Sequence, residues 1–139
     1  MTEATIEPFA REHLDGLVAL LAVEGWTEYT EDIERTYRAL TAAGVTTLVA
    51  IVAGRVAGAI QVQSDGAIQA HVSMLLIDRN ARGARLGSGL LREGLRRAGG
   101  LHLDIRTRTE GYYERFGASR SLGFRLTRDD LGLRGMDAG

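Results

Sequence analysis

The residues best suited to chemistry lie in one stretch, MLLIDRNARGARLGSGLLR, residues 74–92. Its apolar run reads as a strand ending at Ile77, followed by a loop of charges and small residues. From about Ala84 the pattern is that of a helix whose start is dense in glycine. A strand feeding such a helix makes an anion site, because unpaired backbone N–H groups and the positive end of the helix dipole converge there. Other chemistries are excluded or unsupported. The chain has no cysteine, so it can form neither a disulfide nor a thiolate metal site, and its three histidines, His13, His71 and His102, are too scattered for a zinc pattern. No metal is expected.

The rest of the chain must position that stretch. Its 139 residues suit one domain spanning 1–139, and 45% hydrophobic with 25% charged residues is ordinary for a globular protein. The N-terminus is acidic and has no apolar core before Pro8, and no apolar run approaches the roughly 20 residues of a membrane span. The expectation is a cytoplasmic protein without a membrane partner. Net charge is −1, yet residues 1–44 hold nine acids and three arginines, whereas residues 79–128 hold twelve arginines and four acids. All seventeen basic residues are arginine, which a GC-rich genome would also produce. The segregation offers an anion positive potential from one half of the fold. Nucleic acid is not the expected partner, since the chain is not basic overall and lacks an aromatic-basic motif.

In chain order, residues 4–9 suggest a short strand, with Pro8 at its edge or end. Leu14, Leu17, Val18 and Leu21 have the spacing of an amphipathic helix closed by Gly25. Residues 25–29, with Trp26 and Tyr29, form a connecting loop, and Thr30 is the expected cap of a second helix striped by Ile33, Tyr37 and Leu40. From residue 45 the period changes to that of strands. VTTLVAIV, VAGAIQVQ and AIQAHVSMLLI are joined by turns at Ala53-Gly54-Arg55 and Ser64-Asp65-Gly66 and predict an antiparallel meander. Leu86, Leu90, Leu91 and Leu95 mark the next helix, ended by Gly99-Gly100. The alternation in LHLDIR then gives a strand parallel to residues 70–77. Thr109 can cap a short helix, EGYYERF, and SLGFRLTR reads as a last strand. The fold class is α+β, with the glycine loop where the sheet changes from antiparallel to parallel.

These residues resemble the GCN5-related N-acetyltransferase (GNAT) family. RGARLG at 82–87 is similar to the family's acetyl-CoA signature Q/R-x-x-G-x-G/A. Leu75-Leu76-Ile77-Asp78 is similar to its L-x-V-D at the end of the fourth strand, and GYYERFG to its F-Y-E-K-L-G after the fifth. The element order agrees from about residue 4 to 128. The resemblance implies a mixed sheet of six to seven strands with an antiparallel meander, one parallel β-α-β crossover and about four helices. It implies acetyl-CoA as co-substrate. The loop and helix start of Arg82, Gly83, Ala84, Arg85, Leu86, Gly87 and Ser88 would take the pyrophosphate. Gly83, Gly87 and Ser88 would keep the surface low, and Arg82 and Arg85 would add charge. The backbone after Leu75, especially Ile77, would pair with the pantetheine arm where the fourth and fifth strands splay. One residue departs from the pattern. The family's first signature glycine is Arg85 here, and arginine would be strained if the position required φ > 0.

The same resemblance implies that Tyr113 protonates the departing thiolate, although it could also serve only as packing. Tyr112, about 100° away on a helix, would then face elsewhere. For the general base, His71 is a candidate on the strand of Leu75 and Ile77 with the same side-chain parity, which Ser73 shares. Glu110, Glu28 or a water chain are alternatives. The loop between the first two helices covers the acceptor in the family, which implicates Trp26, Glu28 and Tyr29, and an acidic aromatic loop suits an amine. Trp26 could equally be a core anchor. The implied function is transfer of an acetyl group to a primary amine of a small molecule or protein N-terminus by direct attack. The alternative is a non-catalytic CoA-binding module. A homodimer is common in the family.

Overall fold

The computed structural model describes residues 3–83, 85–107, 111–133 and 135. Chain contacts divide it into two compact units, residues 1–105 and 106–139.

The first unit is a five-stranded sheet in sequential order: β1 (Ala4–Pro8), β2 (Val45–Val52), β3 (Arg55–Ser64), β4 (Gln69–Ile77) and β5 (His102–Ile105). The first four strands pair antiparallel, and β5 joins β4 in parallel. Pro8, which cannot donate to a ladder, ends the edge strand β1. Between β2 and β3 the turn is only two residues, Ala53 at φ 51° and Gly54 at φ 75°. The right-handed twist of a hairpin demands those left-handed conformations. At the next turn the Asp65 carboxylate accepts from the amides of Ala67 (2.8 Å), Ile68 (2.7 Å) and Gln69 (3.2 Å). Those amide bonds hold its pKa below the ordinary aspartate value.

Helices cover both faces of the sheet. On one, α1 (Leu14–Val23) buries Leu14, Leu17, Leu20 and Leu21 with Leu40, Val49, Ala59, Met74 and Leu76. Leu40 comes from α3 (Ile33–Leu40), and a single helical turn, α2 (Thr27–Thr30), lies between them. On the other face α4 (Leu86–Ala98) packs so closely that a Cβ added at Gly94 would lie 3.1 Å from Ile60 and Val62. Full burial of Leu17, Leu21 and Leu90 stabilises each layer by about 2 kcal/mol per side chain.

Four expectations are corrected. The sheet has five strands among the described residues, not six to seven. The missing last strand is SLGFRLTR: residues 121–127 hold no strand, and Leu122, Phe124 and Leu126 alternate but are exposed. Alternation says which side chains a strand could bury, whereas a strand forms only against a ladder partner. The helix expected at EGYYERF is one 3-10 turn, Glu114–Phe116, bracketed by left-handed glycines Gly111 (φ 84°) and Gly117 (φ 82°). Thr109, its expected cap, lies outside the described residues. Finally, α3 is capped by Asp32, which accepts from the Arg35 amide at 3.0 Å, because the Thr30 hydroxyl is bonded to Thr27 O at 3.1 Å within α2.

Candidate functional site

The parallel ladder between β4 and β5 is short. It runs from Gln69↔His102 to Val72↔Ile105 and stops, so among the described residues Met74 to Ile77 of β4 pair with β3 alone. A β-bulge lies at the same point. Met74 pairs with Gln61 and Val72 with Val62, leaving Ser73 as the extra residue. The bulge turns the strand's faces over. Leu75 and Ile77 pair with Ile60 and Gly58 on the α4 side, whereas Met74 and Leu76 join the α1 core.

That inversion corrects the parity argument for His71. Its partner is Gln63, on the face opposite Ile60 and Val62, so His71 points to the α1–α3 side and not with Leu75 and Ile77. It is exposed and lines a shallow depression with Gln63, Asp65 and Asp104. Sequence parity assumes an unbroken period of two, which a bulge violates.

Beyond β4, Asp78 donates its amide to Ala57 O at 2.8 Å, and its carboxylate accepts from the Asn80 amide at 2.9 Å. This fixes the exit into a 3-10 turn, Arg79–Ala81. Arg82 then folds back. Its Nε donates to Ile77 O at 3.2 Å, and its Nη2 lies 3.4 Å from Oε1 of Glu24, at the end of α1. Arg82 thus ties the loop to the strand it leaves, and Glu24 balances its charge. Gly83 takes φ 90°; Ala84 lies outside the described residues.

Arg85 is the N-cap of α4 and takes the left-handed conformation, φ 62° and ψ 20°. The position expected to hold glycine does require positive φ, and the arginine there carries strain of about 1–2 kcal/mol. It is exposed. Its carbonyl accepts the amide of Gly89 at 3.1 Å and the Ser88 hydroxyl at 3.1 Å. The first i→i−4 bond therefore begins at Gly89, and helix geometry leaves the amides of Leu86, Gly87 and Ser88 facing outward without intrahelical partners. Thirteen residues of α4 stand behind them to supply the dipole.

The expected acceptor residues sit on or beside α2. Trp26 and Tyr29 are half-buried against the α1 core with ring centroids 5.7 Å apart, and Glu28 is exposed. Tyr29 is held at both ends. Its carbonyl accepts the Thr36 hydroxyl at 2.6 Å, and its phenol reaches Oε1 of Gln61 at 3.4 Å. Nothing in the sequence pointed to Gln61, and Ser73 entered only through the parity it was expected to share with His71. In AIQVQ the alternation places Gln61 where a solvent-facing residue would also fall, so pattern alone could not have found it.

In the second unit, Tyr113 is half-buried beside Tyr112, ring centroids 4.9 Å apart and edge to face. Desolvation, then the neighbouring phenol, raises its pKa above the ordinary tyrosine value. The phenol is therefore neutral throughout the physiological range. Glu110 lies outside the described residues. Among the described residues no cluster of histidine and carboxylate suits a metal.

An acetyltransferase from Trypanosoma brucei has a similar fold, with a TM-score of 0.74, 18% identity, and coverage of 90% of this chain and 99% of that one. So has a transcriptional regulator from Bacillus halodurans, at TM-score 0.75, 19% identity and the same coverage. AAC(6′)-Iy in complex with the bisubstrate analogue CoA-S-monomethyl-acetylneamine aligns at TM-score 0.69 and 14% identity, over 90% of this chain and 99% of that one. No curated protein matches the sequence. The family model for the acetyltransferase (GNAT) domain matches residues 10–132, which takes in every strand but β1, all four helices and the loop at Arg85. The chain belongs to the GNAT acetyltransferase family.

Proposed function

We propose that the protein transfers an acetyl group from acetyl-CoA to a primary amine by direct attack. One observation carries this: among the described residues β4 has no strand partner on its β5 side beyond Val72, and that edge, met only by the Arg82 guanidinium at Ile77 O, runs toward the glycine-rich N-terminus of α4. A strand edge offers alternating N–H and C=O groups that suit the amides of a pantetheine arm. The outward amides of Leu86, Gly87 and Ser88, with the exposed Arg85, suit a pyrophosphate. A molecule with both parts, in that order, is a coenzyme A thioester. The bisubstrate analogue bound by AAC(6′)-Iy joins CoA to an amine-derived acceptor, which supports the same pairing of substrates.

In this reading Leu75 and Ile77 hold the pantetheine arm through their backbone, and a backbone N–H near the bulge meets the oxyanion. The neutral amine attacks the thioester carbonyl. A C–N bond forms, the C–S bond breaks, and the amine nitrogen releases its proton. Tyr113 supplies a proton to the departing sulfur; its match to the family motif and its neutral, half-buried phenol support the role. Trp26, Glu28 and Tyr29 form the acceptor side. His71 lies on the sheet face that also carries α1 and α3, which suits proton removal on the acceptor side.

Calorimetry with acetyl-CoA at moderate salt tests the donor half. Saturable 1:1 binding is expected, and no binding would remove the reading's co-substrate. The chain has no cysteine, so a thiol reagent in an activity assay reports released CoA alone.

A further inference from the structure

Gln61 is the buried polar residue at the centre of the sheet, 3% exposed on β3. Its amide bonds three different elements. Nε2 donates to Ala39 O on α3 at 3.0 Å. Oε1 accepts the Ser73 hydroxyl at 2.7 Å and the Tyr29 phenol at 3.4 Å. Ser73 is the bulge residue, the first beyond the last β4–β5 rung, and Tyr29 belongs to α2. The other buried polar side chains nearby, Thr36 and Thr47, each bond a single helix carbonyl, and a leucine in place of Gln61 would fill the site without a desolvation cost. The amide instead ties the point where the sheet opens to the helix beside it.

We propose that Gln61 is a positioning residue that couples α2 to the β4 bulge, so that the acceptor side and the thioester slot are held in one register. This rests on the acetyl-transfer reading, and it adds a residue that neither touches the reacting atoms nor belongs to a signature motif. Ser73 has a single hydroxyl hydrogen. Given to Oε1 at 2.7 Å, it pins the bulge; without that acceptor it keeps only the longer contact to Gln61 O at 3.4 Å, and the bulge can slip back toward regular pairing or rotate. Buried networks of this kind hold one geometry only while every member is satisfied.

The test replaces Gln61 by Met, which keeps the volume and removes both polar atoms. Three results are expected together. kcat for acetyl transfer falls at least tenfold, acetyl-CoA affinity by calorimetry stays within about threefold, and amide hydrogen exchange rises in both 27–30 and 73–77 while β1 and β2 are unchanged. Gln61→Glu, which retains an acceptor for Ser73 and Tyr29, recovers part of the kcat. A kcat within threefold of the parent, a parallel loss of CoA affinity, or faster exchange at only one of the two segments would overturn the proposal. Should Gln61→Met fail to fold, Ser73→Ala at the partly exposed bulge is read by the same three criteria. If the parent protein acetylates no amine, the acetyl-transfer reading fails separately, and exchange decides the coupling: a joint rise supports it and a rise at one segment sinks it.

Discussion

Arg85 shows how one residue can carry two opposed demands. The N-cap of α4 sits at φ 62°, where glycine is at ease and arginine is strained by about 1–2 kcal/mol. Glycine loses roughly 0.5–1 kcal/mol of chain entropy in exchange, so Arg85→Gly should raise stability by up to about 1 kcal/mol in urea unfolding. Arg85→Ala removes the same charge but keeps the positive φ, and should show no such gain. Both variants should bind CoA roughly tenfold more weakly, with a shallower salt dependence, because in the proposed site the guanidinium meets phosphate. Unchanged CoA binding in both would mean the charge has no phosphate partner. Tyr113 makes a second claim at this scale. Tyr113→Phe should lower kcat about a hundredfold or more while CoA affinity holds. An acid must be protonated to act, and burial raises its pKa, so its activity is present below that pKa and lost as pH rises through it. The parent's kcat should therefore persist past about pH 10, where an ordinary phenol ionises. A decline assigned to Tyr113 below that pH would contradict the role.

Among the elements, the β2–β3 hairpin is the clearest site of avoidable strain. Ala53 takes φ 51° at the first turn position, where asparagine or glycine is preferred. Ala53→Asn should stabilise by about 0.5 kcal/mol, read as a higher urea midpoint with an unchanged slope. The turn lies outside the proposed site, so kcat should not move. The β4 bulge is the element-level feature that matters most for the proposed function, and it marks the limit of what sequence reading could reach. The strands, their antiparallel order, the parallel crossover and the α4 stripe of Leu86, Leu90 and Leu91 were legible from period alone, because each buries one face. Ser73's extra position was not, since nothing in QAHVSMLLI distinguishes a bulged strand from a regular one. The same bulge puts His71 on the face opposite Leu75 and Ile77. At 121–127 the alternation of Leu122, Phe124 and Leu126 promised a strand, but ladder partners are a property of the fold and not of the segment.

At the largest scale, helices occupy both faces of the sheet in the first unit, which leaves to a ligand the β4 edge beyond Val72 and the end of the sheet where α4 begins. Glycine content and arginine excess pointed there from the sequence, and the left-handed Arg85 now gives the spacing a physical reason. The proposed acceptor side was legible only as an aromatic, acidic loop. Its organisation around Gln61 depends on bonds between residues 29, 39, 61 and 73, far apart in the chain and without a shared pattern. Among the described residues no helix is long and apolar enough to cross a membrane. The central claim is acetyl transfer to an amine, and the most direct test incubates the protein with acetyl-CoA and a panel of primary amines while free thiol is followed. At least one amine should release CoA thiol above the hydrolysis background, saturably in both substrates, with the acetyl group found on that amine by mass spectrometry. Tight CoA binding without thiol release for any amine would contradict the claim and leave a binding module in its place.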